Sequence, residues 1–459
     1  MKEHNLREGS IFLGISRLAL PIMLTSFIQM AYNLVDMIWI GKIGSGAMAA
    51  VGAAGIYLWI SDSLTSVARM GGQIKVAHAV GAGETEKAKK YAASAFQLGL
   101  LIVCLYMAVI VIFHKGLIGF FRLGKEDIIQ SAETYLLITG TAGILFGTLN
   151  QIFTGICTGR GNSKLPFIAT SVGLVLNVIL DPLLIFGVGP FPELGVVGAA
   201  VATAGSQGVV TLLFLLILFR DAQFFRKLPV FRKPDVPAFK EVFSLGLPAG
   251  IQNVFMSGLS LLISRIVSSF GADALAIQRV GGQVESISWM ISGGFGIAIN
   301  AFVGQNFGAK LMKRVQKGYR TALGLMAGWG VFCTLLLLLF PRQIFGLFLH
   351  EEELLPMGVD YLQILGLCQF FSCIEGAATG AFNGLGQTKI PSAASIFFNV
   401  ARIPFAMLLS SPAFGLGLNG VWWALTIASI IKGALVTIWY SVYVRRKKLY
   451  TSFPETAAE

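Results

Sequence analysis

The stretch NVILDPLLIF, residues 177–186, is apolar enough to face lipid except at Asp181. Pro182 follows this carboxylate, and Asn177 precedes it by four residues. A charged side chain at the centre of a membrane helix costs about 2.5–3.5 kcal/mol, and a proline inside a helix removes a backbone hydrogen bond. Because both costs fall at one point, Asp181 is a candidate functional residue.

The whole chain has the composition of a membrane protein. Of its 459 residues, 55% are hydrophobic and 13% are charged, with a mean hydropathy of +0.74. Soluble proteins carry about 25% charged residues, so this composition excludes a soluble protein. The excess of 35 Lys and Arg over 23 Asp and Glu is typical of cytoplasmic loops in a membrane protein. It does not indicate a nucleic-acid partner.

The five cysteines predict neither disulfides nor a zinc site. None forms a CxxC pair, and the chain has only four histidines. We therefore expect no cofactor and no resident metal. All five lie in or beside apolar segments, at Cys104, Cys157, Cys333, Cys368 and Cys373.

Apolar runs long enough to cross a hydrocarbon core of about 30 Å predict some twelve spans. Their limits are 15–40, 48–72, 92–113, 128–156, 166–187, 195–219, 243–270, 281–304, 321–341, 356–382, 391–411 and 418–442. With the N-terminus inside, the inner segments hold 24 of the 35 Lys and Arg and the outer loops hold 6. This bias predicts a plasma-membrane protein with both termini in the cytoplasm.

The chain also repeats itself. LALP, ending at Pro21, recurs as LGLP, ending at Pro248, at an offset of 227 residues. GSGAMAA from Gly44 recurs as GADALAI from Gly271 at the same offset, and AVGAGETEKAKK recurs as NFGAKLMKRVQK. TGICTGRGNSKLP recurs as TGAFNGLGQTKIP at an offset of 225. Each half therefore contains about six spans and has the same topology.

These observations predict an all-α integral membrane protein with two six-helix lobes related by a parallel pseudo-twofold axis. We expect an N-lobe (1–219), a cytoplasmic linker (220–242), a C-lobe (243–442) and a cytoplasmic tail (443–459). This architecture is typical of transporters that bind substrate between the lobes and expose it alternately to each side. We expect a monomer in the lipid bilayer that is not an enzyme.

The sequence resembles the multidrug and toxic compound extrusion (MATE) family over essentially its whole length. The resemblance rests on four motifs: LALPIMLTSFIQMAYNLVDMIWIGKIG in the first span, GQNFGAK (304–310) with the matching HAVGAGETEKAKK of the first half, GICTGRGNSKLP, and NVILDP. It implies a cation-coupled antiporter that exports small organic compounds of cationic or amphiphilic character. It also implies an N-lobe ion site whose positions match Asp36, Asn177, Asp181 and Thr203.

Helix geometry also indicates that these four residues lie close together. Asn177 and Asp181 are four residues apart and share a helix face, and the depths of Asp36 and Thr203 also place them in the outer half of the N-lobe. Two carboxylates in a low dielectric repel, so one of them should hold a proton near neutral pH. H⁺ is the expected coupling ion, although Asp36, Asn177 and Asp181 also permit Na⁺. Alternatively, both acids are structural.

Two prolines, Pro21 and Pro182, are predicted helix hinges. Other polar and sulfur-containing side chains are candidates for the cavity or for supporting the ion site, with plain helix packing as the alternative. They are Gln29, Asn33, Met37, Met256, Met290, Glu375 and Arg402.

The second half lacks the carboxylate pair. Ile263 occupies the position of Asp36, and Arg402 stands near the position of Asp181. The chain therefore looks closer to the DinF-like than to the NorM-like branch. The remaining C-lobe charges are interpreted as a structural charge network rather than substrate contacts. These are Arg265, Glu285, Glu375, Arg402 and Lys432.

Three alternative functions stay open at this point. A lipid-linked oligosaccharide flippase of the same superfamily would need a basic cavity for a pyrophosphate. An integral membrane transferase would need carboxylate-rich loops that bind a metal, whereas the loops here are basic or apolar. A channel is disfavoured because a two-lobe repeat favours alternating access.

Overall fold

The computed structural model describes residues 5–218, 221, 224–348 and 351–447. Within these ranges the chain forms helices and no strands. The predicted tail from 448 onward and linker residues 220, 222 and 223 lie outside them. The helices are α1 (Ile11–Ile43), α2 (Ser45–Gly81), α3 (Thr85–Gly119), α4 (Glu126–Ile138), α5 (Ile144–Gly159), α6 (Lys164–Ile185), α7 (Val196–Leu218), α8 (Val236–Ser268), α9 (Ala272–Gly308), α10 (Met312–Leu339), α11 (Pro341–Gly346), α12 (Leu355–Gly366), α13 (Gln369–Gly384), α14 (Lys389–Leu409) and α15 (Gly417–Arg446).

The number of spans agrees with the hydropathy. In the described part of the chain, eleven helical stretches are long and apolar enough to cross a membrane, counting α4 and α5 as one through the π-helical turn Thr139–Gly143. A twelfth results if α12 and α13, which are bent by 40° at a short break, count as one span. The prediction of about twelve spans is confirmed, but the tenth is a broken helix rather than the continuous 356–382.

Several helices extend beyond the predicted spans. Helix α2 continues to Gly81 rather than ending at 72, and α8 begins at Val236 rather than at 243. The apolar window marks only the part of a helix that fits the hydrocarbon core. Backbone hydrogen bonding carries the helix on into the polar region, where sequence hydropathy no longer reports it.

The internal repeat is visible in the backbone. Helices α2 and α9 each contain 37 residues, and their N-caps are Gly44 (φ 138°) and Gly271 (φ 116°). After these helices, Gly83 has φ +75° and the matching Lys310 has φ +61°. A side chain disfavours this left-handed conformation, so the same turn is kept in the second half although its glycine is not.

The helices group into two compact units. The first unit includes residues 24–251, and the second comprises Asn5–Met23 and the chain from Gln252 onward. The divisions fall inside α1 and α8. Each unit has its own buried apolar clusters: in the first unit one lies around Ile152, Phe153 and Phe214, and in the second one lies around Phe302, Phe382 and Tyr440.

The basic segment before α8 is anchored to the first unit. Arg160 forms an ion pair with Asp221 (2.9 Å) and lies 3.9 Å from the ring centre of Phe224. Further along, Asp235 accepts a hydrogen bond from the backbone N–H of Ala238 at the start of α8 (3.2 Å). This bond, together with nearby Lys90, lowers the pKa of Asp235. The segment is therefore held in place while it leads into the seventh span.

Close packing of α2 against α8 depends on two glycines. A Cβ at Gly71 would overlap the carbonyl oxygen of Val242, and one at Gly246 would overlap that of Val67. Small residues allow membrane helices to approach this closely. The contact is backbone against backbone, so no side-chain rotation can relieve an added methyl group.

We expect Gly246→Ala to lower the thermal stability of the purified protein, because overpacking costs about 1–3 kcal/mol. The matched control is Gly258→Ala on the same helix, where a Cβ meets nothing within 4 Å. Thermal unfolding of both variants in one detergent checks the prediction. Equal melting temperatures for the two variants would contradict this account of the helix contact.

Candidate functional site

Helix α6 carries its polar residues on the face turned away from lipid. Asn177 and Asp181 are 2% and 0% exposed, and Gly173, one turn earlier, is also buried. The opposite face is a row of exposed aliphatic side chains at Ile168, Val172, Val175 and Ile179. The helical period of 3.6 residues thus places the carboxylate inside the first unit rather than against lipid.

Asp36 of α1 meets Asp181 of α6. Their carboxyl groups are close enough to share a hydrogen bond, and the side-chain amide of Asn177 donates to Oδ1 of Asp181 (3.2 Å). Three buried oxygens of this cluster have no hydrogen-bond partner in the described part of the chain: Oδ1 of Asp36, Oδ2 of Asp181 and Oδ1 of Asn177. Such groups are costly unless something else satisfies them.

Thr203 of α7 joins the cluster through a tyrosine. The hydroxyl of Tyr32 lies 3.5 Å from Oγ1 of Thr203, and Tyr32 also interacts with Asp36. Buried Tyr135 of α4 is near enough to interact with both carboxyl groups. The sequence offered no signal for Tyr135, since a tyrosine in a membrane helix is common in many roles.

The other candidate residues of the first unit have no described contact with the two carboxylates, Asp36 and Asp181. Gln29, Asn33 and Met37 are exposed along α1. Pro21 lies inside α1 and Pro182 inside α6. The structure shows neither proline acting as a hinge, so that role stays a prediction.

The predicted charge network of the second unit is present in part: Arg402 lies within electrostatic range of both Glu285 and Glu375. Glu375 and Lys432 form an ion pair (3.1 Å) whose side chains are 15% and 12% exposed. Glu285 is instead bonded to uncharged partners, and Arg402 donates to Ser429 (2.7 Å). Arg265 lines a separate open groove.

Of the two predicted cavity methionines in the second unit, Met256 lines a cavity together with Arg402. Met290 is partly buried on α9 and is absent from the lining of that cavity. No group of three or more His, Cys, Asp or Glu side chains within residues 5–218, 221, 224–348 and 351–447 could hold a metal ion.

An all-helical chain with eleven or twelve spans and paired carboxylates inside a span has the features of a polytopic membrane transport protein. The comparisons narrow this class. The MatE family model matches the chain twice, at residues 21–183 and 248–408, which also supports the internal repeat.

Two curated relatives align over nearly the whole chain. The probable multidrug resistance protein NorM of Thermotoga maritima is 30% identical over 432 residues, covering 92% of this chain and 91% of that protein. The probable multidrug resistance protein YoeA of Bacillus subtilis is 27% identical, covering 96% of each chain.

Solved structures share the fold. A crystal structure of MATE in complex with MaD3S superposes with a TM-score of 0.89 at 23% identity, over 98% of this chain and 99% of that chain. A transporter of the MOP superfamily from Pyrococcus furiosus gives a TM-score of 0.88 at 22% identity, with the same coverage.

The chain belongs to the multidrug and toxic compound extrusion family of efflux transporters. Family membership confirms the predicted fold class, a multi-pass membrane location and the prediction that the protein is a transporter rather than a membrane enzyme. The closer resemblance to the DinF-like branch stays a prediction.

Proposed function

We propose that this protein is a secondary-active antiporter that exports small organic compounds of cationic or amphiphilic character in exchange for H⁺. Transport would proceed by alternating access across the plasma membrane. The names of the relatives, multidrug resistance proteins, support this substrate class. The observation that carries the coupling mechanism is the interaction of partly buried Asp36 with fully buried Asp181.

The argument for a proton follows from the unpaired oxygens. Two ionised carboxylates in contact repel strongly in a low dielectric, so the pair favours holding one proton. A proton on Asp36 or Asp181 creates an O–H donor aimed at the other carboxylate, and one bond then satisfies both oxygens. Loss of that proton to the cytoplasm restores the repulsion and would favour a different arrangement of α1 and α6.

Sodium is the competing ion. A hard cation is usually held by about six oxygens, whereas the side chains of this cluster offer three unpartnered ones, on Asp36, Asn177 and Asp181. Thr203, the fourth predicted ligand, lies within hydrogen-bond distance of Tyr32. These contacts favour H⁺ over Na⁺, with the same residues forming the site in either case.

The purified protein in liposomes tests the choice of ion. We expect an outward substrate flux when only a pH gradient, acidic on the extracellular side, is imposed. An inward Na⁺ gradient at equal pH should drive none. Flux driven by Na⁺ alone and abolished by Asp181→Asn would overturn the proton assignment and leave the site in place.

The orientation of the chain makes a separate prediction. In a background without native cysteines, a cysteine replacing Glu352 should react with an impermeant maleimide in spheroplasts. One replacing Arg232, in the basic segment before α8, should react only after permeabilisation. Both positions are exposed, so access alone does not distinguish them. The opposite labelling pattern would invert the proposed topology.

We also propose that the protein acts as a monomer, because each half of the internal repeat supplies one lobe and a second copy is not needed to complete the architecture.

A further inference from the structure

The second unit contains a cavity of about 240 Å³ lined by side chains of opposite charge. Glu285 of α9 and Arg402 of α14 both face it, and apolar groups, among them Trp289 and Leu259, line much of the remainder. Neither charged residue belongs to the coupling site described above. The cavity lining therefore combines one acidic and one basic side chain with apolar groups, all from one unit.

The carboxylate of Glu285 is held by several neighbouring side chains. Glu285 is 1% exposed and accepts hydrogen bonds from the hydroxyl of Tyr361 (2.6 Å) and the amide of Gln369 (3.3 Å). The ring of Tyr361 fits there because Gly281, one turn before Glu285, has no Cβ to overlap it. Trp422 packs edge-on against the same ring at 5.0 Å. The carboxylate is thus held in a fixed position by uncharged donors.

The guanidinium of Arg402 has unused hydrogen-bonding capacity. Arg402 donates to Ser429 (2.7 Å), but its buried Nε has no partner in the described part of the chain. Asn399, three residues earlier on the same face of α14, is 2% exposed and has an unpartnered Oδ1. Both side chains line the cavity. Buried polar atoms without partners are costly in a native protein unless a ligand or water completes them.

The two charges interact without touching. Glu285 and Arg402 lie within electrostatic range of each other, yet no ion pair between them is present among the described residues. Glu375 is also within range of Arg402, but its direct partner is Lys432. A buried charge normally requires a direct partner. A bound molecule with an ammonium group and a carboxylate group would supply a direct partner to both Glu285 and Arg402. A simple cation would meet Arg402, and a simple anion would meet Glu285, so each would face repulsion.

We infer that this cavity binds small zwitterions, with the ammonium group directed to Glu285 and the carboxylate directed to Arg402 and its free Nε–H. The apolar body of the ligand would lie against Trp289. The inference names a compound class for the second unit. It rests on the proposed function only for export of the bound molecule, because binding can be measured without transport.

The test uses charge-matched probes on the solubilised protein. Phenylalanine and phenylalanylglycine are zwitterions whose charges are separated by different distances. Phenylalanine methyl ester is the matched cation, and N-acetylphenylalanine is the matched anion. Quenching of tryptophan fluorescence and thermal stabilisation report binding. We expect at least one zwitterion to bind about tenfold or more tightly than the cation and the anion.

Single substitutions should change this preference in opposite directions. Glu285→Gln should weaken zwitterion binding and raise the relative affinity for N-acetylphenylalanine. Arg402→Gln should weaken zwitterion binding and raise the relative affinity for phenylalanine methyl ester. The controls are Asp273→Asn, an exposed acid on α9, and Arg265→Gln, which lines a separate groove. Both should keep the preference of the unmodified protein.

The comparison of probes on the unmodified protein tests whether zwitterions are preferred even if a variant fails to fold. Equal affinity for zwitterion, cation and anion, or no saturable binding of either zwitterion, would overturn the inference. A zwitterion preference that survives both Glu285→Gln and Arg402→Gln would place the binding site elsewhere and overturn it as well. Loss of transport alone, with binding intact, would count against the proposed antiport mechanism and not against this cavity.

Discussion

Asp181→Asn is expected to abolish proton-driven export while leaving a folded protein in the membrane. Asparagine keeps the shape of the side chain and can still hydrogen-bond to Asn177, but it cannot take up or release a proton. Removing a buried charge also lowers the cost of inserting α6, since a membrane helix disfavours a carboxylate by about 2.5–3.5 kcal/mol. The loss should therefore be one of coupling and not of folding.

Substrate efflux from liposomes under an imposed pH gradient measures this effect, with the amount of folded protein determined by size-exclusion chromatography. Asp36→Asn should have the same outcome, because the proposed switch needs both carboxylates. Asp127→Asn makes the same chemical change at an exposed position of α4 and should leave efflux unchanged. Substantial pH-driven efflux by the Asp181→Asn protein would refute the coupling site.

Glu375→Gln is expected to reduce the amount of folded protein rather than the activity of each molecule. Glu375 and Lys432 form a nearly buried ion pair at 3.1 Å. Removing one partner of a buried pair costs about 3–5 kcal/mol because the other charge is left uncompensated. That cost is a large fraction of the total stability of a typical domain, so a marked drop in melting temperature should follow.

The double variant Glu375→Gln with Lys432→Gln tests whether the loss of stability comes from the charge left unpaired in the single variant. Since it removes both charges, most of the stability lost in the single variant should return. Glu352→Gln, at an exposed position, is the matched control and should unfold like the unmodified protein. Complete loss of export by Glu375→Gln with normal stability would instead place part of the coupling mechanism in the second unit.

The broken tenth span shows one limit of the sequence analysis. Hydropathy over 356–382 predicts one span, and the structure divides it into α12 and α13 with a 40° bend. Hydropathy averages over a window and carries no signal for a change of direction between residues 366 and 369. Gln369, at the start of α13, then supplies a hydrogen bond to Glu285 that the sequence did not indicate.

The sequence by itself determined the membrane class, the number of spans, the repeat and the shared face of Asn177 and Asp181. These features can be read along the chain from hydrophobic length, recurring motifs and the helical period. Only the tertiary structure decided that Asp36 meets Asp181, that Glu375 pairs with Lys432, and that Glu285 and Arg402 face one cavity. Such meetings depend on the rotation and depth of helices far apart in the chain. Close packing at small residues such as Gly71, Gly246 and Gly281 helps to fix the rotation and the depth of a helix. An isolated helix in lipid has little preference for one rotation or depth over another.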